Sequence, residues 1–374
     1  MSTTTKPRIA IACGGTGGHL FPGVALAAQF IKRGCDVMLL VSEKEVDQQA
    51  VRDLWGVETI TLPAVGLTGK NYLGFALAGY KSYRQCKKLF KERPPQAVLA
   101  MGGFTAAPPI MAGRSAGAVT FLHESNIVPG RANHHLSHFV KTIFAGFSQI
   151  ESQFPHSDVA VLGTPVRSQF SLRDATAARI SLGLDPARPV LLTMGGSQGA
   201  TAINDLLIKT VPQLAKLMPE LQYLHLTGDN DEEKVQRAYA ENLRGGFVVK
   251  PFLNEMEMAL SAATVAVSRA GASSLAELAA LRVPAVLIPY PAATDNHQVL
   301  NAREFERTGA ARVLEQSEAT PELLGQLILA LAKNTTARQS LILALASWHR
   351  PRAAEAIVEQ VLTAIREKPA SNKV

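Results

Sequence analysis

Two glycine-rich turns hold residues suited to chemistry in this 374-residue chain. The first, residues 14–19, lies between an apolar run at 9–12 and a helix-like stretch that starts at Pro22. The second, residues 195–200, follows a buried-type strand at 190–194. Backbone N–H groups in such a turn, next to a helix N-terminus, favour an anion such as phosphate. The sequence therefore predicts two related anion sites, each at a strand end.

A tight turn without any ligand is the alternative for each copy. Thr16 and Ser197 occupy the same place in the two turns. Their hydroxyls can bond a phosphate oxygen or the free N–H groups of the following helix. The sequence does not separate these uses, but the recurrence of the pattern favours two similar α/β halves.

A third segment of this kind lies further along the second half. Gly271 opens a predicted helix whose first turn is Ala272, Ser273 and Ser274, so little side-chain bulk covers its N–H groups. Glu277, one to two turns later, can accept hydrogen bonds from a ribose diol. An ordinary helix with a solvated glutamate is the alternative.

Polar residues follow two other predicted strands. His123, Glu124 and Asn126 come at the end of one strand, where an acid, a base or an orienting amide is well placed. Residues 295–298 are rich in amides and imidazole, which suit sugar hydroxyls that both donate and accept. A plain turn and a helix N-cap at Asp295 are the alternatives.

Two patterns that resemble metal sites have simpler explanations. Asp229 and Asp231 have the Asp-x-Asp form of metal-dependent sugar-nucleotide enzymes, but a turn and a helix N-cap explain them. His134 and His138 are four apart without an accompanying carboxylate or cysteine. We expect no metal. The sequence also lacks the P-loop and Gly-x-Gly-x-x-Gly patterns, which argues against kinase-like and dehydrogenase functions.

The elements that must position these residues alternate between strand and helix, which predicts an α/β fold with parallel sheets covered on both faces. Strands are predicted at 8–13, 36–42, 58–62, 97–101, 118–123, 142–146 and 159–162, then at 190–194, 221–226, 246–249, 264–268, 285–288 and 312–315. Helices are predicted at 22–33, 72–92 and 130–138, then at 201–217, 231–242, 254–262, 272–281, 295–307, 321–332, 335–346 and about 351–366.

Composition narrows the class of protein. The chain is 47% hydrophobic and 18% charged, which indicates a globular protein with a large core. Its three cysteines lack metal spacing and predict small core residues in a reducing compartment. A polar start and the lack of a long apolar run predict neither signal peptide nor membrane span, hence a cytoplasmic protein. The net charge is +7, but without a basic–aromatic motif we expect no nucleic-acid partner.

Positive charge concentrates at residues 64–95, which hold seven Lys or Arg and one Glu. A helical wheel over 73–91 gives a core arc of Phe75, Tyr83, Cys86 and Phe90. The opposite face begins apolar and ends basic, as an anionic bilayer surface would attract. The residues of that outer face are Leu73, Leu77, Tyr80, Lys81, Arg84, Lys88 and Lys91. A solvated helix face with one loose contact is the alternative.

Taken together, these motifs resemble the bacterial UDP-N-acetylglucosamine–lipid I N-acetylglucosaminyltransferases of peptidoglycan synthesis. The resemblance spans about residues 8–366 and includes two more motifs, at 101–104 and 163–167. It implies a GT-B fold, two Rossmann-like doubly wound domains facing across a cleft. The expected parts are an N-terminal acceptor and membrane-associating domain at 6–164, a donor domain at 165–347, a crossover helix at about 349–367 that returns to the first domain, and a mobile tail at 368–374.

The resemblance assigns the donor, UDP-GlcNAc, to the second domain. Glu277 would bind the ribose hydroxyls, Gln298 the GlcNAc hydroxyls, and the backbone near Leu253 the uracil. The diphosphate would lie against Ser197, Ala272, Ser273, Ser274 and Leu275, with Ala276 in the same turn and Arg167 also on the donor side. The family's Gln-Gln pair reads His297-Gln298 here, and its His-Glu-Gln-Asn reads His123-Glu124-Ser125-Asn126.

The acceptor, lipid I, would lie in the first domain, with Thr16, Gly17, Gly18 and His19 on one side and Asn126 opposite. The implied reaction is an inverting attack by the C4 hydroxyl of MurNAc on the anomeric carbon of the donor. His19 is the expected base, because imidazole titrates near neutral pH, and Glu124 is the alternative. Helix N-termini would stabilise the leaving UDP, so no cofactor is expected.

The resemblance also implies a peripheral enzyme on the cytoplasmic face of the inner membrane. Its expected partners are the anionic leaflet and proteins of cell-wall synthesis, with roles in cell shape and division. Two other functions fit the motifs: a different GT-B transferase, with a diacylglycerol or natural-product acceptor, and a non-catalytic nucleotide-sugar sensor.

Overall fold

The computed structural model describes residues 6–44, 47–48, 56–66, 71–196 and 199–368. The chain forms two compact units, Met1–Arg167 with Arg350–Val374, and Ser168–His349. The predicted Ser197 contact and all but the first residue of the predicted mobile tail lie outside the described residues.

The first unit is built on a seven-stranded parallel sheet of order β3-β2-β1-β4-β5-β6-β7. Its strands are β1 (Arg8–Ala12), β2 (Asp36–Ser42), β3 (Glu58–Leu62), β4 (Ala97–Ala100), β5 (Val119–Glu124), β6 (Thr142–Ala145) and β7 (Asp158–Val161). Its helices are α1 (Gly17–Lys32), α2 (Tyr72–Glu92), α3 (Ala107–Ser115), α4 (Arg131–Leu136) and, at the end of the chain, α13 (Ala353–Glu367), with short 3₁₀ turns at Ser137–Phe139 and Ser148–Gln153.

The second unit repeats the design with a six-stranded parallel sheet of order β10-β9-β8-β11-β12-β13. Its strands are β8 (Val190–Met194), β9 (Gln222–Leu226), β10 (Phe247–Lys250), β11 (Val265–Ser268), β12 (Ala285–Leu287) and β13 (Arg312–Val313). Its helices are α5 (Ala175–Ser181), α6 (Thr201–Leu217), α7 (Glu232–Asn242), α8 (Met256–Ala262), α9 (Ala272–Leu281), α10 (His297–Arg307), α11 (Pro321–Lys333) and α12 (Thr335–Trp348), with a 3₁₀ turn at Thr294–Asn296.

Alternation along the strands places apolar side chains on both faces of the first sheet. Ile9 and Ile11 of β1 lie in one core cluster, and their neighbours Ala10 and Ala12 lie in another. The first cluster also contains Ile357 and other residues of α13, so the last helix packs into the core of the first unit. The predicted α/β class with parallel sheets is confirmed.

The two sheets have the same order of their first four strands, and within each sheet this order places two turns side by side. In each sheet the first strand along the chain lies between the second and the fourth. The register pairs Ala12 with Ala100 in the first sheet and Met194 with Ser268 in the second. The turns that follow these paired ends are therefore neighbours, at the point where the order of strands reverses. Ligands bind at this position in open parallel sheets.

The structure corrects several predicted elements. Helix α1 begins at Gly17 rather than Pro22, so this proline lies inside the helix and gives up one backbone donor. Helix α3, which begins at Ala107 and has Pro108-Pro109 in its first turn, was not among the helices named from the sequence. Strand β13 has two residues instead of four.

Phe75 is the clearest correction, because it was predicted to face the core but is 39% exposed. Only Ser82, Cys86 and Phe90 are buried in α2, all in its second half. The helix has 21 residues and packs against α3, which has nine. At about 1.5 Å per residue, the shorter helix covers less than half of the longer one. The start of α2 is consequently left exposed.

Of the other residues in the predicted core arc of α2, Cys86 and Phe90 are buried and Tyr83 is half-buried against the same core cluster. Cys13, Cys35 and Cys86 are buried thiols. Within the described residues, no helix combines the length and apolar character that crossing a bilayer would require.

The packing of α13 leads to a stability prediction. Ile357 is fully buried in the first unit's core, so Ile357→Ala should lower the free energy of unfolding by about 2–5 kcal/mol. Gln360→Ala, at an exposed position of the same helix, should change it by less than about 0.5 kcal/mol. Guanidinium unfolding followed by circular dichroism measures both. Equal stability of the two variants would contradict the assignment of α13 to this core.

Candidate active site

Hydrogen bonds with nearby side chains hold the first glycine turn in place. The Gly15 N–H donates to Oδ2 of the buried Asp47 at 2.6 Å, and Lys44 Nζ donates to the Gly15 carbonyl at 2.9 Å. Ser42 Oγ also donates to Asp47 Oδ2, at 2.5 Å. The sequence predicted open N–H groups for an anion along this turn. At Gly15 that prediction is wrong, because a buried carboxylate already occupies the position.

His19 lies in the first turn of α1, beside the turn that follows β4. Thr16 Oγ1 is 3.2 Å from His19 Nδ1. Gly102 and Gly103 have φ of +102° and +74°, and a Cβ built on Gly103 would lie 2.9 Å from His19 Nδ1. The imidazole is therefore seated against two glycines that leave room for it. This contact joins two predicted motifs, residues 14–19 and 101–104, at one sheet edge.

Glu124 organises the loop after β5. One carboxylate oxygen accepts from the backbone N–H of Asn126 at 2.9 Å, and the other accepts from Gly130 N at 2.9 Å and Asn133 Nδ2 at 2.8 Å. Asn126 Nδ2 adds a further donor at 3.2 Å. Burial raises the pKa of Glu124, and these donors oppose that shift. Both oxygens therefore accept hydrogen bonds that hold this loop together.

His123 is a structural histidine next to this loop. Its Nε2 donates to the Gly163 carbonyl at 3.2 Å, and its Nδ1 is 3.2 Å from Ser125 Oγ. Burial is the main cause that lowers its pKa to about 4; the hydrogen bond to Gly163 opposes this shift and the nearby His19 adds to it. Full burial and the two hydrogen bonds argue against the acid or base role predicted for His123. The loop around it still brings Asn126 to the same edge as His19.

Arg167 lies at the end of the first unit. Its guanidinium carbon is 4.3 Å from the centre of the Phe21 ring in α1, a cation–π contact. Phe21 is two residues from His19, so Arg167 packs on the same end of α1.

In the second unit, α9 begins as the sequence predicts. Gly271 is its N-cap residue, with φ −67° and ψ 139°, and provides no capping side chain. Ala272, Ser273 and Leu275 are buried in the first turn, while Glu277 is half-buried on the helix. Ser274 and Ala276 are also half-buried. The helix has ten residues, so its N-terminus carries a partial positive charge at the sheet's switch point.

The turn before α9 is clamped by residues from α10. Gln298 Oε1 accepts from Tyr290 N at 3.0 Å and from Ala270 N at 3.3 Å. Asn301 Nδ2 donates to the Ala270 carbonyl at 3.2 Å. The side-chain oxygen of Gln298 thus holds two loops together. This role is additional to the sugar contact that was predicted for Gln298. His297 Nδ1 contacts the Thr294 carbonyl at 2.7 Å.

Arg269 is a loop residue that the sequence did not single out as a brace. Its Nη1 donates to the carbonyls of Ile288 at 3.0 Å and Pro289 at 3.1 Å, and its Nη2 donates to Gln316 Oε1 at 2.8 Å. The guanidinium is buried, which lowers its pKa. The sequence did hold one signal for this role: Arg269 is a single arginine among small and apolar residues. A cation in such surroundings is buried only where hydrogen-bond acceptors surround it.

The segment near Leu253, which was predicted to contact the uracil, lies after β10. Leu253 has a buried side chain, three residues beyond the end of that strand. Its neighbour Pro251 accepts a hydrogen bond from Gly228 N at 2.9 Å, which fastens this segment to the loop after β9.

Asp231, one of the residues that resembled metal ligands, has a structural role. Asp231 is buried and accepts a hydrogen bond from Asn204 Nδ2 at 2.9 Å. His134 lies in α4, whereas His138 lies in the 3₁₀ turn that follows. Among the described residues, His, Cys, Asp and Glu form no group of three that suits a metal ion.

The outer face of α2 is exposed as the wheel predicted. The exposed apolar residues are Tyr72 (63%), Leu73 (87%), Leu77 (55%) and Tyr80 (58%). Lys81, Arg84, Lys88 and Lys91 are also exposed along the helix. Arg93, just after α2, is paired with Glu58 through two hydrogen bonds of 2.6 and 2.7 Å, so its charge is offset.

Comparison with known proteins gives the chain a family. The glycosyltransferase family 28 N-terminal domain matches residues 9–145, and the family 28 C-terminal domain matches residues 190–357. Among solved structures, the crystal structure of Acinetobacter baumannii MurG has a TM-score of 0.72 at 29% identity, covering 96% of this chain and 99% of that one. A UDP-N-acetylglucosamine 2-epimerase, with TM-score 0.68 and 13% identity, covers 98% of both chains and shares the fold alone. The predicted GT-B class is confirmed.

Curated relatives extend over nearly the whole chain. One from Geobacter sulfurreducens is 35% identical over 369 residues, which are 96% of this chain and 100% of the relative. One from Synechococcus elongatus is 38% identical over 335 residues, 88% of this chain and 89% of the relative. Both are called UDP-N-acetylglucosamine–N-acetylmuramyl-(pentapeptide) pyrophosphoryl-undecaprenol N-acetylglucosamine transferase. The chain is a family 28 glycosyltransferase and belongs to the family of these N-acetylglucosamine transferases.

Proposed function

We propose that this protein transfers GlcNAc from UDP-GlcNAc to the C4 hydroxyl of MurNAc in undecaprenyl-pyrophosphoryl-MurNAc-pentapeptide, lipid I, and so makes lipid II for peptidoglycan. The observation that carries the proposal is the family membership over nearly the full length, at 35% identity over 96% of this chain. Transfer proceeds with inversion, by direct attack of the acceptor hydroxyl on the anomeric carbon and departure of UDP.

The acceptor side of the proposal rests on the edge of the first sheet. His19 takes the proton from the attacking hydroxyl, since its ring lies at the switch point against Gly103. Thr16, whose hydroxyl is 3.2 Å from His19 Nδ1, orients the imidazole. Asn126, in the loop held by Glu124, binds the acceptor together with the backbone of Gly17 and Gly18.

The donor side rests on the second unit. The N-terminus of α9, at Gly271, faces the developing negative charge of UDP with its partial positive charge. Glu277 accepts the ribose hydroxyls, Gln298 binds the sugar, and the backbone near Leu253 reads the uracil. Because a helix dipole and backbone donors stabilise the leaving group, we propose that the reaction requires no metal.

Membrane association is proposed for the outer face of α2. Its exposed apolar residues, such as Leu73 and Leu77, can enter the headgroup region, and Lys81, Arg84 and Lys88 can contact anionic lipids. The enzyme then works peripherally at the cytoplasmic face of the inner membrane, where its lipid-linked acceptor lies. Proteins of cell-wall synthesis are the proposed neighbours.

The activity is tested by UDP release with UDP-GlcNAc and a short-chain lipid I analogue, with and without a chelator. We expect turnover only when both substrates are present, at the same rate with the chelator. Turnover with a diacylglycerol or a natural-product acceptor instead would favour a different GT-B transferase. Donor binding without any turnover would favour a sensor, and a rate abolished by the chelator would contradict the metal-free mechanism.

The role of His19 predicts a specific kinetic change. His19→Ala should lower kcat by about 10²–10⁴-fold, because general base catalysis contributes that much, and should leave the KM for UDP-GlcNAc within about threefold. The exposed His138, replaced in the same way, serves as the control. Steady-state kinetics with both substrates measures the change. Unchanged turnover in His19→Ala would remove this residue from the chemistry.

The role of α2 predicts weaker membrane binding on charge reversal. Lys81, Arg84 and Lys88 changed together to Glu should lower partitioning to anionic vesicles by at least about 10²-fold, since each cation near the surface contributes about 1 kcal/mol. The matched control changes Lys209, Lys216 and Arg237, exposed residues of the second unit, to Glu. Both triple variants have the same net charge. Equal vesicle sedimentation by the two would refute the proposed membrane face.

A further inference from the structure

A chain of buried polar groups runs behind the second glycine turn. Tyr239 and His225 are 0% exposed, Asn204 and Thr227 are 1% exposed, and Asp231 is 8% exposed. These residues come from three elements: β9 with the loop after it, the first turn of α6, and α7. Polar groups buried in this way are costly unless every hydrogen bond is made, so the geometry of the group is tightly specified.

The chemistry of the partners fixes the direction of each hydrogen bond. Asn204 Nδ2 donates to the Thr227 carbonyl at 2.9 Å and to Asp231 Oδ2 at 2.9 Å, and both of these groups only accept. Asn204 Oδ1 must therefore accept from His225 Nε2, at 2.9 Å. His225 Nδ1 in turn accepts from the Tyr239 hydroxyl at 2.8 Å. Burial lowers the pKa of His225 to about 3, so this neutral tautomer persists at neutral pH.

The chain of hydrogen bonds ends at the Thr227 carbonyl, which lies against Gly199 of the second glycine turn. Gly199 has φ +73°, and a Cβ added to it would collide with the Thr227 carbonyl, the same oxygen that Asn204 holds. The Asn204 N–H also donates to the Ala200 carbonyl at 3.0 Å. The position of the Thr227 carbonyl thus determines how closely Gly199 can approach the loop after β9.

The same loop supports the segment after β10. Thr227 N donates to the Lys250 carbonyl at 3.0 Å, and Gly228 N donates to the Pro251 carbonyl at 2.9 Å. Two residues further on is Leu253, next to the proposed uracil contact. One buried group therefore braces two backbone segments on either side of the loop after β9.

We infer that His225 and Asn204 are positioning residues for the nucleotide part of the donor. They contact no substrate. They hold the Thr227 carbonyl, and through it set the spacing between the turn at Gly199 and the segment at Pro251. This inference rests on the proposed function, because it takes the two segments to bind the diphosphate and the uracil of UDP. According to this inference, the affinity for UDP-GlcNAc depends in part on buried residues that do not contact it.

Two replacements of His225 separate positioning from packing. In His225→Gln, the amide nitrogen lies near the place of Nε2 and can still donate to Asn204, while the bond to Tyr239 is lost. In His225→Asn, the amide oxygen lies near the place of Nδ1 and can still accept from Tyr239, while Asn204 Oδ1 loses its donor. Both remove part of a buried ring, so both should lower the melting temperature to a similar extent.

The readout is the dissociation constant of UDP, measured by titration calorimetry, with kcat and both KM values. We expect His225→Asn to weaken UDP binding and raise the donor KM about tenfold, since a buried acceptor is left unpaired. We expect His225→Gln to stay within about threefold of the natural protein, and the acceptor KM to be unchanged in both. Equal UDP affinity in the two variants would overturn the inference.

A second variant covers the case in which His225→Asn does not fold. Asn204→Ala removes the same brace from the α6 side and should weaken UDP binding by a similar factor, while Tyr239→Phe should not. Unchanged UDP affinity in Asn204→Ala would overturn the inference while the natural protein's turnover upholds the proposed function. If the natural protein bound no UDP, the proposed function and this inference would fall together.

Discussion

Parallel strand pairing is the constraint on which both candidate sites depend. The hydrogen bonds between β1 and β4, and between β8 and β11, bring their carboxyl ends side by side. Each pair of turns then meets at one edge, although about 90 residues separate Gly14 from Gly103 and about 75 separate Gly195 from Gly271. The contact of His19 with Gly103 is a direct product of this register.

Buried polar side chains then hold the backbone of these loops in place. Asp47 holds Gly15, Glu124 holds the segment from Asn126 to Gly130, and Asn204 holds Thr227. Each of these side chains accepts from or donates to backbone at a strand end, where regular sheet hydrogen bonding stops. Substrate groups can be placed accurately only if the turns that meet them do not drift. In each unit, buried polar side chains beneath the turns prevent this movement. These side chains, Asp47, Glu124 and Asn204, are called the anchors here.

The sequence predicted the framework better than the anchors. Apolar runs located nearly all the strands, and small residues at 271–274 located the start of α9, because burial and steric access leave a local signature. The anchors have no such signature. Asp47 lies 32 residues from Gly15, and Asn204 lies 21 residues from His225. Their partners are set by the tertiary fold, which a reading of neighbouring residues does not supply.

Errors in the predicted elements have the same origin. The wheel placed Phe75 in the core, since it assumed that the whole length of α2 has a partner, but α3 is too short to provide one. Helix α3 was not among the helices named from the sequence, although its proline pair is tolerated in the first turn of a helix. Glu124 was interpreted as a chemical group because its hydrogen-bond donors were not visible from the sequence.

The carboxylate of Asp47 accepts the Gly15 N–H and so takes one donor of the first repeated turn out of use for a ligand. One acid from a neighbouring segment can change which backbone donors a glycine motif offers, without altering the glycines themselves. The number of glycines in such a turn therefore does not by itself decide whether the turn attracts a negative ion. Two halves of one architecture can in this way diverge in ligand preference through residues that never appear in the shared motif.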